Sequence, residues 1–246
     1  KGVILRIFPE ARLVDITHQV AAQDVLEASL IIGSAYRYFP AGSVHLVVVD
    51  PGVGGIRRPI LVAGTEQYFV GPDNGSFTPI LDADPDAEVY EIRNEQFLLP
   101  SISDTFHGRD IFSPVAAYLA RGVAAEEFGS RVTDPRRLAL PEPRVWGDQI
   151  LGEVIHIDSF GNVLSNITRA QFEEAAGGRA FRIVLNGRRI ERLDRTYSDQ
   201  EAGKVLALFG SSNLLEVAVA GGRADRRIGA GKGDTVLVQF LPPSEA

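Results

Sequence analysis

Between residues 134 and 148, in DPRRLALPEPRVWGD, the hydrophobic periodicity of the chain is lost. Pro135, Pro141 and Pro143 stiffen this stretch. Proline lacks a backbone N–H and is poorly tolerated inside helices and central strands. The patterns on the two sides differ in kind. The stretch therefore reads as a linker, with one domain expected over residues 1–140 and another over 148–246. A chain of 246 residues is long enough to build a real core.

Before the break, helical and strand patterns alternate. In AQDVLEASLIIGSAYRYF (22–39), the apolar residues Val25, Leu26, Leu30, Ile32 and Tyr36 recur at helical spacing. SVHLVVVD (43–50) is β-branched and almost continuously apolar, as in a sheet covered on both faces. PILVAG, QYFVGPDNG and EVYEI read as further strands. SPVAAYLARG (113–122) reads as a helix, with Ser113 placed to cap it, Pro114 in the first turn and Gly122 past the end. The expectation is an α/β domain, sandwich-like, with a mostly parallel sheet.

After the break come short strands separated by turns: ILGEVIHID, FRIVLNGRRIERL, KVLALFG, LLEVAVAGG and DTVLVQFL. Asn186-Gly187 is a hairpin signal. This part is predicted to be a smaller β-barrel domain.

Composition excludes several chemistries. There is no cysteine, so disulfides, thiolate metal sites and a cysteine nucleophile are ruled out. That usage fits a cytoplasmic protein. The net charge of −7 argues against nucleic acid as a partner. No apolar run approaches the ~20 residues of a membrane span. Asp15, His18, His45, Asp50, His107 and Asp110 are potential ligands, but none forms a compact pair such as His-x-x-x-His. No metal site is expected.

Two stretches invite chemistry. VVVDPGVGGIRRPI (47–60) ends a strand on Asp50 and follows it with glycines at 52, 54 and 55, then Arg57. Ligands of open α/β sheets bind at the carboxyl ends of strands, and glycine lets backbone approach a ligand closely. A tight turn whose aspartate caps local amides is an equal reading of the position alone. TFHGRD (105–110) places His107, Arg109 and Asp110 at a helix start. By itself it reads as a solvated, dipole-balanced turn. GPDNGSF (71–77) reads as a turn, and IDSFGNVLSNI (157–167) is unusually polar for a strand pair.

Taken together, VDPGVGGIRRPI, GPDNGSF, TFHGRDIFSPVAAYLARG and IDSFGNVLSNI, with LVDITHQVAAQDVLEA (13–28) before them, resemble one family over nearly the whole chain. It is the S-adenosylmethionine hydrolases (adenosine-forming), or hydroxide adenosyltransferases, relatives of the fluorinase and chlorinase. The resemblance implies an α/β domain followed by a β-barrel. It implies a homotrimer holding a small-molecule substrate at subunit interfaces, with no separate cofactor. The family's Asp, Arg and His set falls on Asp50, Arg57 and His107. The halogenases carry tyrosines where Asp50 and His107 stand. Gly108 is serine in the fluorinase and glycine in the chlorinase. Asp158, Ser211 and the backbone of Ser212 match positions that hold the methionine end. Asn162 matches the residue that reads adenine, Gly221 lies on the segment meeting the base, and Phe160 lines the pocket. Gln23 replaces the fluorinase's stacking tryptophan. Family members also carry a strand ending in Thr-Asp-Phe-Gly or similar before the position of Lys1, whose aspartate holds the ribose hydroxyls. That segment is expected to precede Lys1.

The implied reaction is attack of water on the ribose 5′ carbon, with methionine leaving as a neutral thioether. It needs in-line alignment and a proton acceptor but no acid for the leaving group. A halide beside Asp50 would meet repulsion of about 4 kcal/mol at about 4 Å, partly offset by Arg57. A halogenase and a non-catalytic adenosyl-binding protein are the alternatives.

Overall fold

The computed structural model describes residues 1–139 and 141–242. The chain divides into two compact units, residues 1–139 and 140–246.

In the first unit, α1 (Gly2–Ile7) and α2 (Val25–Ala35) come first, and a 3₁₀ turn at Tyr36–Tyr38 extends α2. Asp24 caps α2 by accepting the Glu27 N–H at 2.8 Å. Then follow β1 (Val44–Leu46), β2 (Pro59–Ala63), β3 (Tyr68–Pro72), α3 (Thr78–Ala83), β4 (Glu88–Glu91), α4 (Ser113–Ala120) and β5 (Arg131–Val132). The sheet order is β1-β3-β2-β4-β5.

This sheet is mixed, not mostly parallel as expected. Only β1 and β3 run parallel, and the remaining pairs are antiparallel. The cause is local: β2 and β3 are joined by residues 64–67, where the Gly64 N–H bonds the Gln67 carbonyl at 2.9 Å. So short a link can only reverse the chain, because a parallel neighbour needs a crossover of a dozen residues or more.

Both faces are covered, as the apolar strands demand. Ile60, Val62 and Phe69 pack with Ile32 of α2 and Ile80 of α3. Leu61 and Val70 pack with Phe112, Val115 and Leu119 at α4. The alternation along β2 therefore feeds two cores.

α4 begins differently from the sequence reading. Ser113 does not cap it. The chain enters through a π turn, Gly108–Phe112, and the Ser113 hydroxyl donates back to the Gly108 carbonyl at 2.6 Å. Pro114 does sit in the first turn, and Gly122 lies past the end with φ 93°.

The second unit carries β6 (Arg144–Trp146), β7 (Gln149–Ile157), β8 (Val163–Thr168), α5 (Arg169–Ala176), β9 (Phe181–Leu185), β10 (Arg188–Ile190), β11 (Val205–Phe209), β12 (Leu214–Val219), α6 (Ala224–Ile228) and β13 (Thr235–Phe240). Its antiparallel sheet runs β10-β9-β13-β7-β8-β12-β11, with β6 added on β7. The edge strands β10 and β11 approach one another, so the sheet curls towards a barrel. Asn186 and Gly187 take φ of 46° and 76° in the two-residue turn between β9 and β10, as an Asn-Gly hairpin requires.

Three elements of this unit were not anticipated: β6, α5 and the short helix α6. β6 lies inside the stretch read as a linker and pairs with β7 across a two-residue turn at Gly147 (φ 55°) and Asp148. α5 carries a capping box, Thr168 with Gln171, and ends at left-handed Gly177. Its Phe172 meets the rings of Phe181, Phe209 and Phe240 at centroid distances of 5.0, 5.4 and 5.5 Å. No described helix is long and apolar enough to cross a membrane.

Candidate active site

β1 makes its last ladder bond at Val47, whose N–H reaches the Val70 carbonyl at 3.0 Å. The chain runs on to Asp50 outside the sheet, and Asn74 takes over: its Nδ2 donates to the Val49 carbonyl at 2.8 Å. The GPDNG turn thus fixes the residue before Asp50. The GPDNG pattern by itself indicates only a turn; the bond to Val49 depends on the fold.

Residues 51–56 form the glycine-rich loop, and at Gly54 the need for glycine is structural. Its φ is 73°, and a Cβ there would come 2.3 Å from the Asp104 carbonyl oxygen. Only a bare Cα lets this loop lie against the loop that carries His107.

Asp50 and Arg57 meet through two hydrogen bonds. Nε donates to Oδ1 at 3.0 Å and Nη2 to Oδ2 at 2.5 Å. Both side chains are only 6% exposed. The same Nη2 lies 2.6 Å from His107 Nδ1. The guanidinium also sits over the Phe112 ring, with Cζ 5.3 Å from its centroid. The structure therefore brings together three residues from distant parts of the chain, with Arg57 in the middle.

This fixes the state of His107. Arginine only donates, so Nδ1 must accept, and the neutral ring carries its proton on Nε2. Burial, and secondly the Arg57 charge, push the His107 pKa below its usual value; Asp50, Asp110 and Asp104 pull weakly the other way. The loop bearing His107 is closed by Asp110, which is fully buried. Its Oδ2 accepts the Ser103 N–H at 2.9 Å, and Arg109 chelates its carboxylate. Gly108 packs on Val48, whose Cγ1 would lie 3.1 Å from an added Cβ.

A cavity of about 340 Å³ adjoins the glycine loop, lined by Gly52, Gly55, Ile56, Arg57, Arg58, Asp73 and Arg136. Larger cavities at the β2–β3 turn lie away from these three residues.

The remaining expected residues are distributed as follows. Gln23 is exposed on the turn before α2, with φ 68°. In the second unit, Asp158 and Asn162 close one turn on each other. The Asn162 N–H donates to Asp158 Oδ1 and Nδ2 to Oδ2, each at 2.9 Å. Phe160, at the tip of that turn, is 75% exposed. The Gly221 segment is tied to the same turn, because Arg223 Nη1 donates to the Ser159 carbonyl at 2.9 Å and the Asp225 N–H to the Gly161 carbonyl at 3.0 Å. Ser211 and Ser212 are exposed between β11 and β12. Two groups near Asp158 escaped the sequence reading: Glu216, an acid inside the apolar run LLEVAVA, and Tyr197. Among the described residues, no three or more histidine, aspartate or glutamate side chains gather as a metal site.

Two family models match the chain. One describes the SAM hydroxide adenosyltransferase N-terminal domain and covers residues 1–129, and the other describes the C-terminal domain and covers 152–237. A relative from Salinispora tropica is named (R)-S-adenosyl-L-methionine hydrolase. It is 38% identical over 247 residues, spanning 96% of this chain and 90% of the relative. A fluorinase from Actinoplanes is 29% identical over 216 residues, spanning 76% and 72%. A crystal structure described as an uncharacterized conserved protein from Thermotoga maritima superposes with a TM-score of 0.89. It is 36% identical and covers 97% of this chain and 92% of that one.

Proposed function

This chain belongs to the SAM hydroxide adenosyltransferase family, and from that premise we propose how its site works. The protein hydrolyses S-adenosyl-L-methionine to adenosine and L-methionine. Water attacks the ribose 5′ carbon, the new O–C5′ bond forms as the C5′–S bond breaks, and the sulfonium electrons leave with methionine as a thioether. The water's second proton is released, so one proton appears per turnover.

The observation that carries the assignment of roles is the Arg57 bridge between Asp50 and His107. Arg57 takes one lone pair from each Asp50 oxygen and leaves the others open. Those remaining lone pairs call for a hydrogen-bond donor, which water is. His107, its Nδ1 already occupied, offers an Nε2–H that holds the oxygen of the nucleophile. In this reading Asp50 accepts the proton and His107 orients, while Arg57 fixes both.

The pairing also revises the charge argument against halide. A bidentate Arg57 neutralises much of the Asp50 charge, so simple repulsion is weak. The sharper discrimination is that a halide cannot donate a hydrogen bond to Asp50.

Asp158, Ser211 and Ser212 are assigned to the methionine end, Asn162, Gly221 and Phe160 to the adenosine end, and Gln23 and Gly108 to the periphery. This rests on their places in the matching motifs. The direct Asn162–Asp158 bonds support a preformed polar turn. A homotrimer belongs to the same reading and rests on the family resemblance. The exposed apolar side chains of Val48, Ile56 and Phe106 are surfaces a second copy would cover. A cytoplasmic setting is part of it too, from the cysteine-free composition.

The test is turnover in heavy-oxygen water. The label is expected at the adenosine 5′ hydroxyl, and chloride at high concentration is expected to yield no 5′-chloro product. Unlabelled adenosine would overturn the mechanism. Mixing Asp50→Asn and Asp158→Asn proteins tests the assembly: recovered activity is expected if each site draws on two subunits, and none if it does not.

A further inference from the structure

Along β12 the side chains alternate. Leu215, Val217 and Val219 enter the main core of the second unit. Glu216 and Ala218 lie on the opposite face, where Ala218 packs with Leu206, Leu208 and Ala220. Glu216 is 4% exposed. A carboxylate taken that far from water is costly unless its oxygens are bonded.

Only one oxygen is. Tyr197 donates its hydroxyl to Oε1 at 2.7 Å, and among the described residues no hydrogen bond reaches Oε2. That atom lies under the turn between β11 and β12, where a Cβ on Gly210 would come 2.7 Å from it. The next residue is Ser211. Glycine at 210 thus leaves an oxygen with no hydrogen bond beside the exposed serine turn. Asp158 is close enough for its charge to disfavour ionisation of Glu216, adding to the larger effect of burial, which raises the Glu216 pKa. The same neighbourhood pushes the Tyr197 pKa up. Two acids thus face one region with no described cation between them.

We propose that Glu216, through Oε2, binds the α-ammonium of the substrate's methionine end together with Asp158. The inference rests on the reading that Asp158 and Ser211 hold that end, and it adds a residue that selects for the amino group. A cation entering between the two carboxylates completes the bonding of Oε2 and relieves their mutual repulsion. Tyr197 sets the direction of the carboxylate from the other side. A neutral or anionic group in the same place would leave the repulsion standing. The site therefore discriminates against sulfonium substrates lacking the amino group.

The experiment compares S-adenosyl-L-methionine with its deaminated analogue, in which hydrogen replaces the α-amino group, in wild-type protein and in Glu216→Gln. Glutamine keeps the shape and an acceptor for Tyr197 but removes the charge. The wild-type preference for the aminated substrate in kcat/KM is expected to fall at least tenfold in Glu216→Gln, with the change in KM and kcat altered much less. Glu216→Asp is expected to recover part of the preference. If Glu216→Gln fails to fold, Gly210→Ala decides the same ratio, because its methyl group would push Oε2 out of place. A preference within twofold of wild type in the folded variant overturns the proposal. Wild-type protein that makes no adenosine at all would instead sink the activity on which it rests.

Discussion

Replacing Asp50 by asparagine probes the central pair directly. Asparagine retains one acceptor for Arg57 Nε, but its amide nitrogen would face Arg57 Nη2 across the present 2.5 Å contact. Donor then meets donor, and the guanidinium loses its counter-charge while 6% exposed. Breaking a buried ion pair from one side costs about 3–5 kcal/mol, and the surviving Nε bond places this case near the lower end. At roughly 3–4 °C per kcal/mol for a unit of this size, the first unit is expected to melt about 10 °C lower. Turnover suffers separately. Loss of the proton acceptor is expected to reduce kcat by about 10²–10⁴, with KM changed far less, since Asp158 and Asn162 are untouched. The assays are steady-state adenosine formation and thermal unfolding on the same preparation. A variant as stable as wild type, or one with kcat within a few-fold of it, would refute the reasoning, because neither fits a carboxylate that both anchors Arg57 and receives the proton.

His107 accepts from Arg57 and has a lowered pKa, so protonating it breaks that bond only in acid. The limb of the kcat/KM profile due to His107 is expected below about pH 6.5, the ordinary imidazole value; a limb above it would contradict the assigned tautomer. His45, stacked on Phe69 at 4.9 Å and bonded to Gln67, has its pKa lowered chiefly by burial. Its folded value lies below the unfolded one, so its stabilising effect is complete above about pH 6.5 and disappears as pH falls through the folded value. Urea unfolding of wild type and His45→Asn from pH 7.5 to 5 should show a steeper acid loss in wild type. Gly54→Ala combines a left-handed φ with a 2.3 Å approach to the Asp104 oxygen. It is expected to cost about 2–3 kcal/mol and to lower kcat by separating Arg57 from His107, while wild-type kinetics would show that the loops need not touch. Thr168→Ala removes the capping box of α5 and should destabilise the second unit by about 1 kcal/mol in denaturant titration, leaving kcat unchanged.

What the linear chain determined by itself is local or motif-bound. The period of residues 22–39 specifies α2, and Asn186-Gly187 specifies a hairpin because both residues tolerate positive φ. Asp50, Arg57 and His107 were legible because each lies in a block whose residue order resembles a known family. The capping box of α5, Thr168 with Gln171, is equally local but sits among strand patterns. Strand direction was not readable from apolar runs alone, since a residue buried on both faces looks the same in a parallel or an antiparallel ladder. Only the folded sheet put β2 beside β3 in antiparallel register. Only tertiary approach closed Arg57 on His107, 50 positions away, and so chose the histidine's donor and acceptor nitrogens. Likewise the face Glu216 occupies, the Tyr197 bond on one oxygen and the open second oxygen depend on β11, β12 and the Gly210 turn meeting, and nothing in LLEVAVA specifies them. Short-range torsional preference acts within a few residues and leaves its mark on sequence. Hydrogen-bond partners across the fold are set by packing, which no single stretch encodes.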